Sequence, residues 1–542
     1  MQRTDLYWIL PGGIALGAAL ALVSPGSFLP GWLAFSALAL LSLVALRASQ
    51  RLAGGGKTIG WILALAFALR LGLGVGAWLL EPRIGYDNEV NRAGYLFTDA
   101  FVRDNQAWDL AASSDSLLTA FDEKLVSDQY GGMLWGSALI YRALSPDAHR
   151  PLLVTLLAAL FGALGAAFVW GTGKRLLNEN AAKTAALIFA FFPEAILLGA
   201  AQMREPFLMT FIVMAFYGLV EWQALHQQQT SEVLKTSEVW PWLWIALALA
   251  GMFLVSPGFI LVTLIVAAGW YYFSHEGRRI PWQAALAALV IFAVAFIALS
   301  LSWSSLVTAN SGPLGVVGDW ARETVKWNQQ LLKGSSGIVQ LLFEKFPSGL
   351  QLPFIGIYGI LQPVLPAAIF EPSVPFWQIL GILRALGWYL MLPFLAYAPF
   401  ASPPPHSPHF GLQNGETQRG QRWLCLALLL VVWALIASLR GGADQWDNPR
   451  YRVILLGWQA LIVAQVFLSL KQGRIRWLLR ILMVEATLLA VFTHWYMYRY
   501  LKIGFDIGIR NTLALAIGGS IVLVLADWLA EKWRSKTAAG DG

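Results

Sequence analysis

The chain is 542 residues long, with 57% hydrophobic residues, 13% charged residues and a mean hydropathy of +0.60. No soluble fold of that length buries so much apolar surface, so lipid is the solvent for much of it, and the water-soluble globular and disordered classes are excluded. The net charge of +7 and pI near 9.4 arise mostly from Lys and Arg in short connections between apolar runs, a signal of orientation rather than of nucleic acid.

About 20 apolar residues cross about 30 Å of hydrocarbon. On that template the sequence predicts fourteen transmembrane helices, over approximately 7–23, 31–47, 58–80, 151–173, 181–199, 205–222, 241–255, 258–274, 281–302, 377–399, 422–438, 452–470, 475–497 and 508–529. The first run lacks a small-residue cleavage site and a second apolar run follows at once, so it reads as a span rather than a signal peptide. With a cytoplasmic N-terminus, the inside connections carry Arg47, Arg51, Lys57, Lys174, Arg175, Arg278, Arg279, Lys471 and Arg474, as the positive-inside rule requires. The even span count then places both termini in the cytoplasm of a bacterial-type inner membrane.

The same orientation puts residues 81–150 outside, with eleven acidic residues against six basic ones. Two further outside stretches, 130–144 and the proline-broken 346–370, are too apolar for plain loops and read as interfacial or re-entrant helices. The polar stretch 401–421 reads as an inside linker. The expected organisation is thus two N-terminal helices over 1–57, a transmembrane core over 58–400 with outside loops 81–150 and 303–376, the linker, and C-terminal helices over 422–542. The 26 tryptophans gather near span ends as interfacial anchors. The single cysteine, Cys425, rules out an intrachain disulfide, and the six histidines show no ligand spacing.

Three polar clusters fall on the outside face. Gly85-Tyr-Asp-Asn-Glu89 holds Asp87 at the bilayer edge, where a partly desolvated carboxylate can act as a general base; a solvated acidic loop would look the same. Met203-Arg-Glu-Pro-Phe207 places charges beside hydrocarbon, where they pair or serve a site, although Glu205 also suits the first turn of a helix beginning at Pro206. Asp444-Gln-Trp-Asp-Asn-Pro-Arg-Tyr-Arg452 carries Arg450 and Arg452, fit either for bidentate grip of a lipid phosphate or for snorkelling. Arg70, inside a span, is expected to pair with Glu194 or Glu205.

Arg70, Asp87, Asn91-Arg-Ala-Gly-Tyr95, Gln129-Tyr-Gly-Gly-Met-Leu-Trp-Gly136, Phe192-Pro-Glu194, Arg204-Glu-Pro-Phe207 and Asn448-Pro-Arg-Tyr-Arg452, taken in order and spacing, resemble the GT-C superfamily of membrane glycosyltransferases. The likeness is to its family-39-like branch, related to protein O-mannosyltransferases and aminoarabinose transferases, and it spans roughly 58–470. It implies an all-α polytopic GT-C-like bundle that moves a sugar, with inversion, from a polyprenyl-phosphate carrier to a lipid, glycan or protein acceptor outside the cytoplasm. Carried over by position, Asp87 is the base and Glu205 a second catalytic acid. Glu89, Arg204, Arg450, Tyr451 and Arg452 form the substrate-binding set, and arginines neutralise the leaving phosphate. The family's acidic pair is split here by Asn88, and its usual second Asp is Glu205. A Mg or Mn ion between Asp87, Glu89 and Glu205 is compatible with the pattern, though no ligand spacing demands it.

Two rival readings use the same composition. A transporter or flippase would put ionisable residues at the midplane of two similar halves with interrupted spans, and no such halves are visible. A glycan polymerase or ligase also uses polyprenyl-linked donors, but is expected to carry its large outside loop later in the chain.

Overall fold

The computed structural model describes residues 3–122, 130–227, 239–273, 347–401, 416–442, 444–470 and 476–540, with isolated positions between 322 and 345. The expected span 281–302, most of the second outside loop and the heart of the linker lie outside the described residues.

Helices α1 (Arg3–Val23), α2 (Phe28–Leu52) and α3 (Lys57–Ile84) lead to a loop region holding α4 (Glu89–Arg92), α5 (Thr98–Ala112) and α6 (Gly132–Leu144). Then come α7 (Leu152–Leu176), α8 (Glu179–Phe191), α9 (Pro193–Gly199), α10 (Glu205–Gln227), α11 (Val239–Val255) and α12 (Gly258–Tyr272). The remainder is α13 (Ser348–Leu361), α14 (Leu365–Phe370), α15 (Pro375–Tyr397), α16 (Glu416–Gly441), α17 (Asp447–Val453), α18 (Leu456–Ser469), α19 (Arg476–Leu501) and α20 (Gly508–Gly540).

Among the described residues, nine helices are long and apolar enough to cross a membrane, and two bent pairs, α8–α9 at 53° and α17–α18 at 71°, raise the number to eleven. The chain is a multi-pass integral membrane protein. Two further expected spans, 241–255 and 258–274, correspond to shorter apolar helices of 17 and 15 residues. Both apolar outside stretches are helical, as α6 and as α13 with α14.

The core sits around α7, the most enclosed of the long helices. Its composition explains this: Gly162, Gly165, Gly171 and Gly173 lie on a helix otherwise rich in Ala and Leu, and small residues let neighbouring backbones approach where lipid gives no hydrophobic drive between helices. A Cβ on Gly162 would stand 2.7 Å from Arg70 Nε.

Arg70 does not pair with Glu194 or Glu205. Its guanidinium donates to the carbonyls of Ala66 at 3.0 Å, Ala190 at 2.8 Å and Phe189 at 3.2 Å. The reason lies in the sequence, because Pro193 has no N–H to return to the Phe189 carbonyl. The α8–α9 break therefore leaves buried acceptors that only a side chain can satisfy. The loop region has its own polar core: Asp104 is buried and accepts from the hydroxyls of Tyr95 at 2.6 Å and Tyr141, and pairs with His149 Nε2 at 2.8 Å. Gly131 starts α6 at φ +73, where an added Cβ would lie 2.2 Å from the Ala120 carbonyl, so no other residue fits there without strain.

Candidate active site

Both helix breaks deliver charge to the same place. At the second, the chain leaves helical geometry at Leu455, between α17 and α18, and the Arg452 carbonyl freed by the turn accepts instead from Gln459 Nε2 at 3.1 Å. This short, tilted α17 carries Asp447 and Arg450, and its N-terminus is capped by Asp444, which accepts from the backbone N–H of Trp446 and Asp447.

Arg450 Nε donates to Glu205 Oε1 at 2.6 Å, and its Nη1 reaches Asp99 Oδ2 at 2.8 Å and Asp447 Oδ1 at 3.6 Å. Glu205 is 1% exposed at the first position of α10, and its second oxygen, Oε2, is buried without a hydrogen-bond partner. A charge this deep is expensive to bury, and only one of its two oxygens is answered by Arg450. Arg204, the preceding residue, is half-buried, adds a second positive charge beside Glu205 and has no side-chain partner among the described residues. Three acids and two arginines from α5, α17, the start of α10 and the residue before it thus meet at the loop face.

Beside this cluster, Arg384 Nε donates to Glu194 Oε2 at 2.5 Å, both side chains being fully buried. Arg384 also reaches the Gln445 carbonyl at 3.1 Å and stacks on Trp446 at 4.2 Å. Trp446 meets Trp377 edge-on at 4.9 Å, and Trp377 in turn stacks with Tyr86 at 6.3 Å. An aromatic row therefore runs from the buried ion pairs to the residue before Asp87.

The expected site residues divide into three groups. Glu205, Arg204 and Arg450 come together, with Tyr451 half-buried beside Arg450 at 5.9 Å. Asp87 and Glu89 lie exposed on the loop, Asp87 accepting from Arg92 Nε at 2.8 Å and Glu89 opening the single turn of α4 behind its Asn88 cap. Arg452 faces away from both. It is buried over Trp388 at 3.4 Å and donates to the carbonyls of Gly359, Ile360 and Gln362, so its charge serves the C-terminus of α13. Sequence reasoning missed three participants. Asp99 is one of eleven acids between 81 and 150, with nothing to distinguish it. Arg384, a charge within an apolar span, carries the same signal that singled out Arg70. Glu81, at the end of α3, is 2% exposed with both carboxylate oxygens lacking a partner.

Burial, reinforced by the neighbouring Asp104 carboxylate, raises the Tyr95 and Tyr141 hydroxyls well above their usual range, so both stay protonated donors and hold the loop's shape. Among the described residues, no three His, Cys, Asp or Glu side chains converge as a metal site, and the Asp87–Glu89–Glu205 set does not assemble as one: Glu205 is turned to Arg450 while Asp87 is turned to Arg92.

No family model matches the chain, and no curated protein does. Among solved structures it is similar to the archaeal oligosaccharyltransferase AglB from Archaeoglobus fulgidus, in complex with an inhibitory peptide and a dolichol-phosphate, at 14% identity and a TM-score of 0.37. The match covers 86% of this chain and 56% of that one, so the chain spans little more than half its length. At that TM-score the likeness carries no argument about chemistry, which rests on the residues above.

Proposed function

We propose that the chain is an inverting membrane glycosyltransferase of the GT-C type, transferring a sugar from a polyprenyl-phosphate carrier to an acceptor hydroxyl on the extracytoplasmic face. The observation that carries this reading is the Glu205–Arg450–Asp99 cluster at the end of a span, with Arg204, unpaired among the described residues, beside it. A phosphate leaving group needs positive charge that is already in place, and Arg204 supplies a cation not committed elsewhere. Asp99 is 47% exposed and is the partner an incoming phosphate displaces from Arg450, while Glu205 keeps that guanidinium oriented from below.

In the reaction the acceptor oxygen attacks the anomeric carbon and its proton passes to a loop carboxylate. In the same displacement the bond from sugar to phosphate breaks, and the phosphate leaves with the electron pair toward Arg204 and Arg450. Asp87 is our choice of base: it is solvent-exposed and, among the described residues, tied only to Arg92, itself exposed, whereas the Asp99 charge is turned to Arg450. The two bent helix pairs are a feature a transporter would share. The charges of the Glu205–Arg450–Asp99 cluster, however, lie at span ends and in the loop rather than at the midplane of two repeats, which favours chemistry at the surface.

The test is transfer of radiolabelled sugar from a panel of polyprenyl-phosphate donors in membranes carrying equal amounts of wild type, Asp87→Asn and Asp99→Asn. The expected result is a loss on the order of 100-fold or more in Asp87→Asn, the usual worth of a general base, with a smaller loss in Asp99→Asn. The reverse order would move the base to Asp99, and wild-type membranes that transfer from no donor would favour transport.

A further inference from the structure

Glu81 and Trp377 form an unusual juxtaposition at the outer ends of α3 and α15. The Glu81 carboxylate is buried with neither oxygen hydrogen-bonded, and the indole N–H of Trp377, which lies beside it, is buried and unpartnered as well. The indole N–H is close enough to act on the carboxylate as a donor, but the approach stays outside good hydrogen-bond geometry. A single inserted hydroxyl would satisfy both, accepting from the indole N–H and donating to the carboxylate. Leaving them unanswered costs about 1–3 kcal/mol for each buried group, a cost that functional sites commonly carry.

The surroundings specify the kind of hydroxyl. Tyr86 stacks on Trp377 at 6.3 Å and 22°, and is 41% exposed, held by a hydroxyl contact to Ser373 at 2.7 Å. It follows Gly85, whose missing Cβ lets Glu81 Oε2 approach within 2.0 Å of that position. Tyr86 therefore covers the Trp377 face next to the Glu81 carboxylate, as an exposed ring on the outer side of both. On the far side, Trp377 meets Trp446, the residue before Asp447, so this corner adjoins the Arg450 cluster. An aromatic face with a carboxylate and an N–H donor at its edge suits a polyhydroxylated ring, apolar on its C–H face and polar at its rim.

We infer that Glu81 and Trp377, with Tyr86 as a displaceable cover, form the subsite for the transferred sugar ring. This rests on the donor reading above. Donor binding swings Tyr86 off Trp377, the sugar takes its place on the indole, and one sugar hydroxyl bridges Trp377 Nε1–H and Glu81. The carrier phosphate then falls toward Arg204 and Arg450.

The test measures binding of polyprenyl phosphate alone and of its hexose-linked forms to the purified full-length chain, in wild type, Glu81→Gln and Trp377→Phe. Wild type is expected to bind at least one sugar-linked lipid about tenfold more tightly than the bare lipid. Both variants should lose that ratio while keeping bare-lipid affinity, and Glu81→Gln, which removes the unanswered charge, should melt no lower than wild type. A sugar preference that survives Glu81→Gln, or a wild type that binds bare and sugar-linked lipid equally, overturns the subsite while leaving the phosphate site standing. If neither lipid binds, the donor reading fails and the subsite with it.

Discussion

At the scale of residues, the site depends on charges buried in pairs. Removing one partner of such a pair leaves an uncompensated charge, at about 3–5 kcal/mol, whereas replacing both with apolar residues is often nearly neutral. For the fully buried Glu194–Arg384 pair, Glu194→Gln alone is expected to destabilise by roughly 3 kcal/mol, and Glu194→Leu combined with Arg384→Met to recover most of that. Thermal melts of the three purified chains read the outcome; equal losses in single and double variants would show that the pair is not coupled. The tyrosine pair over Asp104 gives a pH prediction. The folded-state pKa values of Tyr95 and Tyr141 are raised, so their contribution is complete below the unfolded value of about 10 and falls as pH rises above it. Limited proteolysis of the loop should accelerate above that pH in wild type, and the alkaline rise should flatten in Tyr141→Phe. The residues of the site were legible in the sequence where a charge met an apolar run, as at Glu205 and Arg450. Asp99 and Glu81 were not, because one is an acid among many and the other's burial depends on helices about 300 residues away.

At the scale of elements, the two broken helices matter most, and they were unequally visible. The α8–α9 break follows from Pro193, which forfeits the bond to Phe189 and brings in Arg70 as substitute donor. The α17–α18 bend has neither proline nor glycine at Ile454 and Leu455. It is held by Gln459 on the Arg452 carbonyl and by Arg452 on the end of α13, contacts that no local pattern announces. The first break yields a coupling prediction. Arg70→Met should cost about 2–3 kcal/mol through lost charge-assisted hydrogen bonds, and less in a Pro193→Ala background, where a restored N–H can serve the Phe189 carbonyl. A double-mutant cycle in thermal stability checks this, and strict additivity would contradict it.

At the scale of the whole molecule, the sequence shows the membrane protein plainly. Nine of the fourteen expected spans are long helices, two are bent pairs, two are shorter apolar helices, and one lies outside the described residues. What composition could not show is which loop residues fold back on the span ends, since that depends on the buried Asp104 network and on the α5 N-terminus reaching Arg450. Orientation is itself testable. With Cys425, the one native cysteine, changed to serine, a cysteine placed at the exposed Asp115 should react with an impermeant thiol reagent in intact cells, and one at Ala539 only after lysis. The opposite pattern would put the site in the cytoplasm.

The central claim is that sugar leaves a polyprenyl phosphate at the Glu205–Arg450 cluster. The most direct measurement is transfer by the purified chain in proteoliposomes containing a polyprenyl-phosphate-sugar, comparing wild type with Glu205→Gln at matched folding. Transfer by wild type that falls on the order of 100-fold in Glu205→Gln, as when an electrostatic support is removed, is the predicted result. Equal transfer by both chains would place the chemistry elsewhere, and wild type that moves lipid or solute across the bilayer without breaking the glycosidic bond would contradict the account.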